Sequence, residues 1–548
     1  MSLLKLPQEL LIQIAESIQS TSDIYRLTLV NRQLYNLLEP EIYKHETLEQ
    51  YGEELLQYAA SCDQPGIKKM LYLGADINFR PLFPGRLGRS KTALHAAIDA
   101  GDIELVKFLL DNGAQVNSPV QNASYSFCPL HLAIEKSRDH NDTSMMTLLL
   151  DYGADPNLHG PYGLTPLIVA IRTKHLLKTK LFKLISRGAD VNLRGWRGTT
   201  PLHTCIEQQA LDAMNFLIEN GSELNCVDEK NRSPLMLASE KYFHPEPIIT
   251  RLIDAGADVN FTSPDGRTAI LDAARWHHYE SLQILLRHGA DLHFVDSNGQ
   301  NVLFAALDNG YNTGGRDALP QFLDLGLDIE FRNRKQQTPF LFFISHYRSY
   351  RLDGTGNRVL HLFFDRGANL NARDIEGGTV IHYAAKLNMP GLINMLVKEN
   401  IEVNQYDKNG ESPIFWALKN TRTTSDMYGT VQRLLELGAD DHHVNLHGQT
   451  LLCIAAHRWC LQLTALLLER EGDVHHRDNE GRSPLHWFAA NEDIPRGKES
   501  LEILEMLIAH GADVSAQTYA GATPLSMIRK RHTTRHIRKM LVDAGATE

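Results

Sequence analysis

Several features that would indicate particular classes of protein are scarce in this chain of 548 residues. Its six cysteines are too few for a disulfide framework, so a reducing compartment is expected. Acidic residues outnumber basic ones by 66 to 55, and the resulting net charge of −11 does not favour a nucleic-acid partner. No apolar run approaches the ~18 residues of a membrane helix. We therefore expect no nucleic-acid or membrane partner, and a location in the cytoplasm, the nucleus or both.

The common motifs of catalysis and cofactor binding are also missing. The sequence contains no P-loop GxxxxGK[ST], no GxSxG nucleophile elbow, no HExxH and no protein-kinase set. Carboxylates are frequent but follow no pattern that would pair them for acid–base work. The sequence therefore predicts a protein that is not an enzyme and has no catalytic residues, cofactor or metal site.

One six-residue pattern, Thr-Pro-Leu-His-x-Ala with variations, recurs through most of the chain, and we call it the hexad. The smallest step between copies is 33 residues, which is also the commonest. A second pattern, Gly-Ala-Asp-Val-Asn, follows about twenty residues after many hexads. A weaker first copy near Leu55 brings the total to about fourteen units. The thirteen clear hexads begin at Thr92, Cys128, Thr165, Thr200, Ser233, Thr268, Asn301, Thr338, Thr379, Ser412, Thr450, Ser483 and Thr523.

The chemistry of one unit predicts two helices and a turn. Threonine or serine is a good helix N-cap, and proline suits the first helical turn because its missing N–H costs nothing there. A second helix follows, such as residues 104–112, and ends at a glycine such as Gly113 that can adopt the left-handed C-cap conformation. The stretch VN-x-x-D-x-x-G-x-T-P is typical of a β-hairpin. Since one unit cannot bury its apolar faces alone, neighbouring units must stack.

This pattern closely resembles the ankyrin repeat over roughly residues 52–548. The resemblance implies a solenoid of helix-turn-helix units with β-hairpin fingers. It also implies that proteins bind to the fingers and to the concave face of the first helices. We define a finger as the connection between the second helix of one unit and the hexad of the next.

Residues 1–45 contain no hexad and have a different pattern. Pro7 opens a first short helix, residues 20–23 cap a second, and a third must end near Pro40. The run Leu-Pro-x-Glu-Leu-Leu-x-x-Ile, followed by Leu-x-x-Val-Asn-Arg-x-Leu-Tyr, resembles an F-box. The expected fold class is therefore all-α, with a small three-helix F-box at 1–45 before an ankyrin solenoid at 52–548. This combination resembles F-box/ankyrin proteins of filamentous fungi.

F-box proteins use this motif to dock on the adaptor subunit of SCF-type cullin-RING ubiquitin ligases. The resemblance thus implies a substrate receptor that binds the adaptor through its F-box and an unknown target through its ankyrin surface. The alternative is an ankyrin scaffold whose N-terminal helices only cap the first unit. The resemblance assigns adaptor-contact or core roles to Leu6, Pro7, Glu9, Leu10, Leu11, Ile14, Ile24, Leu27 and Val30.

Two consecutive fingers differ from the rest and offer a candidate site for the target. Their tips read HGPYG and RGWRG, with aromatic residues and no aspartate. Exposed tyrosine, tryptophan and arginine often dominate protein interfaces. Tyr162, Trp196 and Arg197 are therefore the candidate docking residues, and the alternative is that the aromatic rings only pack between adjacent fingers.

Other polar clusters have simpler structural explanations. The histidine at the fourth hexad position should hydrogen-bond the hexad threonine or a finger backbone, because neighbouring repeats lie too far apart for shared zinc ligands. The same argument disfavours metal binding by the pairs 442–443 and 475–476, and we disfavour it for Cys453, His457 and Cys460 because the first should point inward. The least regular units span 301–358, where the sequence leaves open whether the solenoid is continuous. The hexad histidines are His95, His131, His203, His382 and His486.

Overall fold

A computed structural model describes most of the repeat region. The described residues are 50–80, 91–118, 127–136, 143–173, 178–240, 245–308, 319–346, 354–419, 424–490, 498–528 and 535–547. They divide into two compact units, one of residues 50–269 with 287–289, the other of residues 270–286 with 290–547. The F-box-like segment 1–45 lies outside the described residues.

The first unit is built of helices arranged in pairs. In each pair the odd-numbered helix comes first and, from α3 onwards, follows a hexad N-cap. The helices are α1 (described over 50–60), α2 (Gln64–Tyr72), α3 (Ala93–Ala100), α4 (Ile103–Asp111), α5 (Pro129–Lys136), α6 (Ser144–Asp151), α7 (Pro166–Arg172), α8 (Lys178–Ser186), α9 (Pro201–Gln208), α10 (Leu211–Glu219), α11 (Pro234–Ser239) and α12 (Glu246–Asp254).

The second unit continues the same pairing. Its helices are α13 (Ala269–Arg275, whose first residue belongs to the first unit), α14 (Tyr279–Arg287, whose last residue belongs to the first unit), α15 (Val302–Asp308), α16 (Leu319–Leu323), α17 (Pro339–Ser345), α18 (Gly354–Asp365), α19 (Val380–Lys386), α20 (Pro390–Lys398), α21 (Pro413–Leu418), α22 (Thr424–Glu436), α23 (Leu451–His457), α24 (Leu461–Glu469), α25 (Pro484–Ala490), α26 (Lys498–Ala509), α27 (Pro524–Met527) and α28 (Arg535–Asp543).

The hexad starts its helix in the way that the sequence predicts. The Oγ1 of Thr165 accepts a hydrogen bond from the backbone N of Ile168 at 3.2 Å, and Pro166 occupies the first helical position. The cap satisfies one of the backbone N–H groups that a helix start leaves without a partner. The prediction for the helix end is also confirmed, because Gly113 follows α4 with a left-handed φ of 93°.

Stacking of the first helices forms the core of each unit. In the first unit α3, α5, α7, α9 and α11 pack in succession, and buried leucine, isoleucine and alanine fill the spaces between them. In the second unit α15 packs on α17 and α17 on α19, so the two first helices that lie within the irregular region 301–358 stack on each other and on the next repeat. Phe304 and Phe342, whose ring centroids are 5.2 Å apart, join two of these helices.

The fingers are tight turns, so the expectation of β-hairpin fingers is wrong for the described part of the chain, which contains no strand. In a typical finger, Asp374 donates from its backbone N to the carbonyl O of Gly378 at 3.0 Å. Its Oδ1 accepts from the backbone N of Glu376 and of Gly378. One further bond joins successive fingers, as from the backbone N of Lys408 to the O of Glu376 at 2.9 Å. A strand ladder needs several such pairs in sequence, and these fingers are too short to supply them.

Candidate functional site

The two fingers without aspartate fold differently from the others. Gly160 and Gly195 stand five residues before their hexads, where most fingers have aspartate or asparagine. Each glycine closes its turn by donating its backbone N–H, at 2.8 Å, to the O of Leu164 or of Thr199. Without the side-chain acceptor, the turn becomes a short 3₁₀ segment, at Pro161–Gly163 and Trp196–Gly198.

Close packing explains why glycine is required at both positions. A Cβ on Gly160 would lie 2.8 Å from the Nε2 of His131, and a Cβ on Gly195 would lie 2.5 Å from the Cδ1 of Ile168. His131 and Ile168 are the fourth hexad residues of the preceding units. The unusual fingers therefore depend on close contact between each glycine and a residue about one repeat earlier in the sequence.

The backbone at both tips is held in a conformation that side chains rarely adopt. Tyr162 and Arg197 both have a φ of 55°, in the left-handed region. Such a conformation costs about 1–2 kcal/mol for a residue other than glycine. The next finger fixes the second tip further, because the backbone N of Glu229 donates to the O of Arg197 at 2.9 Å. The candidate side chains thus project from a rigid backbone.

The structure brings the three candidate residues of the sequence analysis together. The ring centroids of Tyr162 and Trp196 lie 5.6 Å apart at an interplanar angle of 87°, and the guanidinium carbon of Arg197 lies 5.7 Å from the Trp196 ring centroid. The aromatic packing between adjacent fingers is therefore present. Tyr162 is nevertheless 48% exposed and Trp196 45% exposed, and Arg197 is exposed as well. We call these three residues the aromatic patch.

The hexad histidines have the structural role that the sequence predicts. The Nε2 of His382 lies 3.1 Å from the carbonyl O of Glu411 in the next finger, and its Nδ1 lies 2.9 Å from the Oγ1 of Thr379. Because a carbonyl can only accept, Nε2 carries the proton and Nδ1 accepts from the threonine hydroxyl. His95, His203 and His486 repeat this bridge.

His131 makes only half of this bridge. Its Nε2 reaches the O of Leu164 at 2.9 Å, but Cys128 replaces the hexad threonine, and Nδ1 has no hydrogen-bond partner among the described residues. Burial lowers the pKa of His95, His131 and His382 to about 4. These rings are therefore neutral at physiological pH, and protonating them would cost stability.

The remaining histidine and cysteine clusters are engaged in local contacts. His443 and His476 approach a glycine carbonyl of the preceding finger with Nε2, each at 2.7 Å. His442 and His476 line a cleft of about 220 Å³ beside Asp441. Cys453 is buried against Thr450. No group of three or more potential metal ligands occurs among the residues that the structure describes.

Three hydrogen bonds between finger aspartates and first helices, all partly or fully buried, were not predicted from the sequence. The Trp416 Nε1 donates to Asp407 Oδ2 at 2.8 Å, and Trp487 Nε1 donates to Asp478 Oδ2 at 2.9 Å. The hydroxyl of Tyr383 donates to Asp374 Oδ2 at 2.6 Å. In each pair the aromatic residue follows the aspartate by nine positions, a spacing that could have revealed the contact.

Comparison with known proteins agrees with this architecture. A family model described as "Ankyrin repeats (3 copies)" matches residues 56–158, 130–228, 176–260, 235–333, 352–440 and 423–518. The F-box-like segment 1–45 lies outside these matches, and its candidate residues Leu6–Val30 also lie outside the described structure. In the described part of the chain, no helix is long and apolar enough to cross a bilayer.

The chain is similar to parts of several known proteins. The human transient receptor potential cation channel subfamily A member 1 is 24% identical over 443 residues, which are 72% of this chain and 38% of the channel protein. The mouse B-cell lymphoma 3 protein homolog is 28% identical over 190 residues, 34% of this chain and 40% of that protein. Phosphocholine transferase AnkX of Legionella pneumophila is 24% identical over 341 residues, 59% of this chain and 32% of the transferase.

This chain spans at most 40% of the length of each of these relatives. Their names include a channel and a transferase, so the similarity does not indicate one common activity. The repeating unit is the same by three observations. They are the hexad caps, the paired helices and the ankyrin-repeat matches over more than half of the sequence. The chain belongs to the ankyrin-repeat family, whose repeats bind other proteins.

Proposed function

We propose that this chain is a non-catalytic substrate receptor of an SCF-type cullin-RING ubiquitin ligase. Residues 1–45 would dock on the ligase adaptor as an F-box, and the ankyrin units within 52–548 would bind a target protein. Membership in the ankyrin-repeat family supports the target-binding half of this proposal. The motif from Leu6 to Val30, with its spacing of leucine, proline and isoleucine, supports the adaptor-binding half.

The aromatic patch is the part of the described surface that we propose for the target. Tyrosine, tryptophan and arginine are the residue types enriched at interface hot spots. Tyr162 and Trp196 brace each other, so their rings lose little conformational freedom on binding. The half of each ring that stays exposed offers apolar area, and the guanidinium of Arg197 adds a directional donor to a carboxylate or carbonyl.

Such a receptor needs no catalytic residue of its own. Holding the target and the ligase in one assembly raises the effective concentration of the target at the site of ubiquitin transfer. The mechanism therefore depends on two binding surfaces that are carried by the same chain. Other subunits of the ligase would supply the chemistry.

Co-purification with the cullin adaptor tests the first half. The variant Pro7→Ser, Leu10→Ala, Ile14→Ala should lose adaptor binding while its circular dichroism melt stays like that of the wild type. A matched variant, Pro390→Ser with Leu211→Ala, alters exposed positions of the repeats and should bind as the wild type does. The proposal fails if the folded wild-type chain does not bind the adaptor.

Proximity labelling tests the second half. Tyr162→Ala with Trp196→Ala should remove a defined set of labelled proteins from those found with the wild type. Tyr72→Ala with Trp276→Ala changes the same residue types at other exposed positions and is the control. If the two double variants label the same proteins as the wild type, the aromatic patch does not bind the target.

The second candidate function is an ankyrin scaffold with no ligase role. It is favoured by the position of residues 1–45 outside every family match, which leaves the F-box assignment to the motif alone. In that case the N-terminal helices would cap the first ankyrin unit. Adaptor binding separates the two candidates, because a scaffold would keep the aromatic patch and its partners but would not bind the adaptor.

A further inference from the structure

Six successive fingers of the second unit carry exposed side chains at one equivalent position, four residues before the hexad. All six residues are exposed to solvent, and we call them the tip row. Their alignment is not evident from the sequence, because nothing in one repeat shows that the next will continue the row. In chain order the tip row is Arg334, Ile375, Lys408, Leu446, Asn479 and Tyr519.

Backbone hydrogen bonds hold the tip row in register. The backbone N of Lys408 donates to Glu376 O at 2.9 Å, and that of Leu446 donates to Asn409 O at 2.8 Å. The same bond, from a tip-row residue to the preceding finger, recurs at the other four positions. Each tip-row residue therefore has its place fixed relative to the one before it.

The larger apolar members also rest on the preceding finger. The Cγ of Leu446 lies 3.1 Å from where a Cβ on Gly410 would be, and the Cδ1 of Tyr519 lies 3.0 Å from the corresponding point at Gly481. Both side chains thus lean against a glycine, yet Leu446 is 68% exposed and Tyr519 is 76% exposed. They are apolar groups in defined positions with one face open to solvent.

Polar and apolar side chains alternate along the row, and two of the polar members are cations. The cations Arg334 and Lys408 lie on either side of Ile375, and Lys408 also precedes Leu446. Neither cation forms an ion pair with any residue that the structure describes. The tip row itself contains no acidic residue, although the net charge of the whole chain is −11.

We propose that the tip row binds an extended, acidic segment of a partner protein. Its carboxylates would face Arg334 and Lys408, and its apolar side chains would cover Ile375, Leu446 and Tyr519. Packed helices of neighbouring repeats are about 8–10 Å apart, and an extended chain rises about 3.3 Å per residue, so one finger corresponds to about three residues of the segment. The proposal concerns other fingers than those that carry the aromatic patch, and it does not depend on the ligase role.

A second copy of this chain fits the row less well. In a two-fold symmetric pairing of the two rows, the same residues would meet in reverse order. Lys408 would then face Leu446, and Arg334 would face Tyr519. Both cations would lose water without gaining an acidic partner, which is unfavourable. An acidic segment supplies the charges that this pairing lacks.

Fluorescence anisotropy with the full chain and a synthetic peptide tests the proposal. The probe is a peptide of about 16 residues, with glutamate at positions 1 and 7, leucine at 4, 10 and 16, and serine or glycine elsewhere, together with its reversed sequence. One of the two should bind. Lys408→Glu should weaken that binding by about tenfold or more, as expected for reversing a charge opposite an acid. Lys398→Glu makes the same change at an exposed position outside the row and should alter binding by less than about twofold.

Two further arms separate charge from apolar contact. A peptide with lysine in place of both glutamates should bind about tenfold more weakly to the wild type. Leu446→Ser should weaken binding of the acidic peptide, while its circular dichroism melt stays unchanged because the side chain is mostly exposed. Absence of binding by both acidic peptides at millimolar concentration overturns the proposal, as do equal effects of Lys408→Glu and Lys398→Glu. Sedimentation that shows self-association abolished by Leu446→Ser would instead identify a second copy as the occupant.

Discussion

Acid should destabilise the second unit through His382, and the size of the effect follows from its environment. The ring bridges Thr379 and the carbonyl of Glu411, and burial lowers its pKa to about 4 from an ordinary value of 6.5. In the unfolded chain the ring takes up a proton at a higher pH than in the folded protein. The contribution of this histidine to stability is therefore complete above about pH 6.5 and is lost as the pH falls towards 4.

Proton linkage gives the magnitude. One pKa unit corresponds to about 1.4 kcal/mol, so the loss is about 1 kcal/mol at pH 5.5 and about 3 kcal/mol once the pH is below 4. The hydrogen bonds of the ring contribute separately at neutral pH, by about 1–2 kcal/mol in total. His382→Met should therefore be less stable than the wild type at neutral pH but should lose less on acidification.

Urea unfolding followed by circular dichroism, at neutral pH and at pH 5.5, measures this difference. The wild type should lose about 1 kcal/mol more than His382→Met between the two pH values. His293→Met makes the same change at an exposed histidine of the same unit and is the control. Equal losses for the wild type and His382→Met would refute the argument that burial of this ring makes the fold sensitive to acid.

Three other outcomes are expected. Trp416→Phe removes the hydrogen bond to the buried carboxylate of Asp407 and should lower the free energy of unfolding, measured in urea, by about 1–3 kcal/mol. The same change at the more exposed Trp276 should have little effect. Glu471→Gly relieves a left-handed backbone with a φ of 63° and should raise stability by about 1 kcal/mol in the same assay, while Glu471→Ala should not. Ellman's reagent should modify Cys62 at once and the five buried cysteines only on unfolding, and rapid reaction of several thiols in the folded protein would contradict the packing described.

Local chemistry explains why so much of the fold could be predicted. The hexad threonine bonds a backbone N–H three residues ahead, as Thr165 does to Ile168, and Gly113 ends its helix by its own conformational freedom. His382 bridges two groups that lie within one repeat of it in sequence. Because histidine recurs at the fourth hexad position, the repeat pattern itself predicts this bridge. Interactions of this kind depend on residues that the sequence places at fixed separations.

The expectation of β-hairpins was wrong because turn residues indicate that the chain reverses direction. They do not indicate how many residues on the two sides of the turn pair through backbone hydrogen bonds. Asp374 closes its turn within five residues, which leaves no room for a ladder. The bond from Trp416 to Asp407 was missed for a related reason. Asp407 lies in a finger and Trp416 lies nine residues later, in a helix. A helical or strand periodicity predicts contacts within one kind of element but not between a turn and a helix.

The repeat, its helix starts and ends and its stacking could be predicted from the residues alone, because these depend on short-range bonds and on apolar faces that a single unit cannot bury. Which surface residues come together is seen only in the folded chain. Tyr162 meets Trp196 because Gly160 and Gly195 let their fingers approach His131 and Ile168 of the preceding units. The tip row likewise exists only because backbone bonds between fingers align residues that are 33 to 41 positions apart. Such alignments follow from how units pack, and packing is a property of the assembled stack rather than of one repeat.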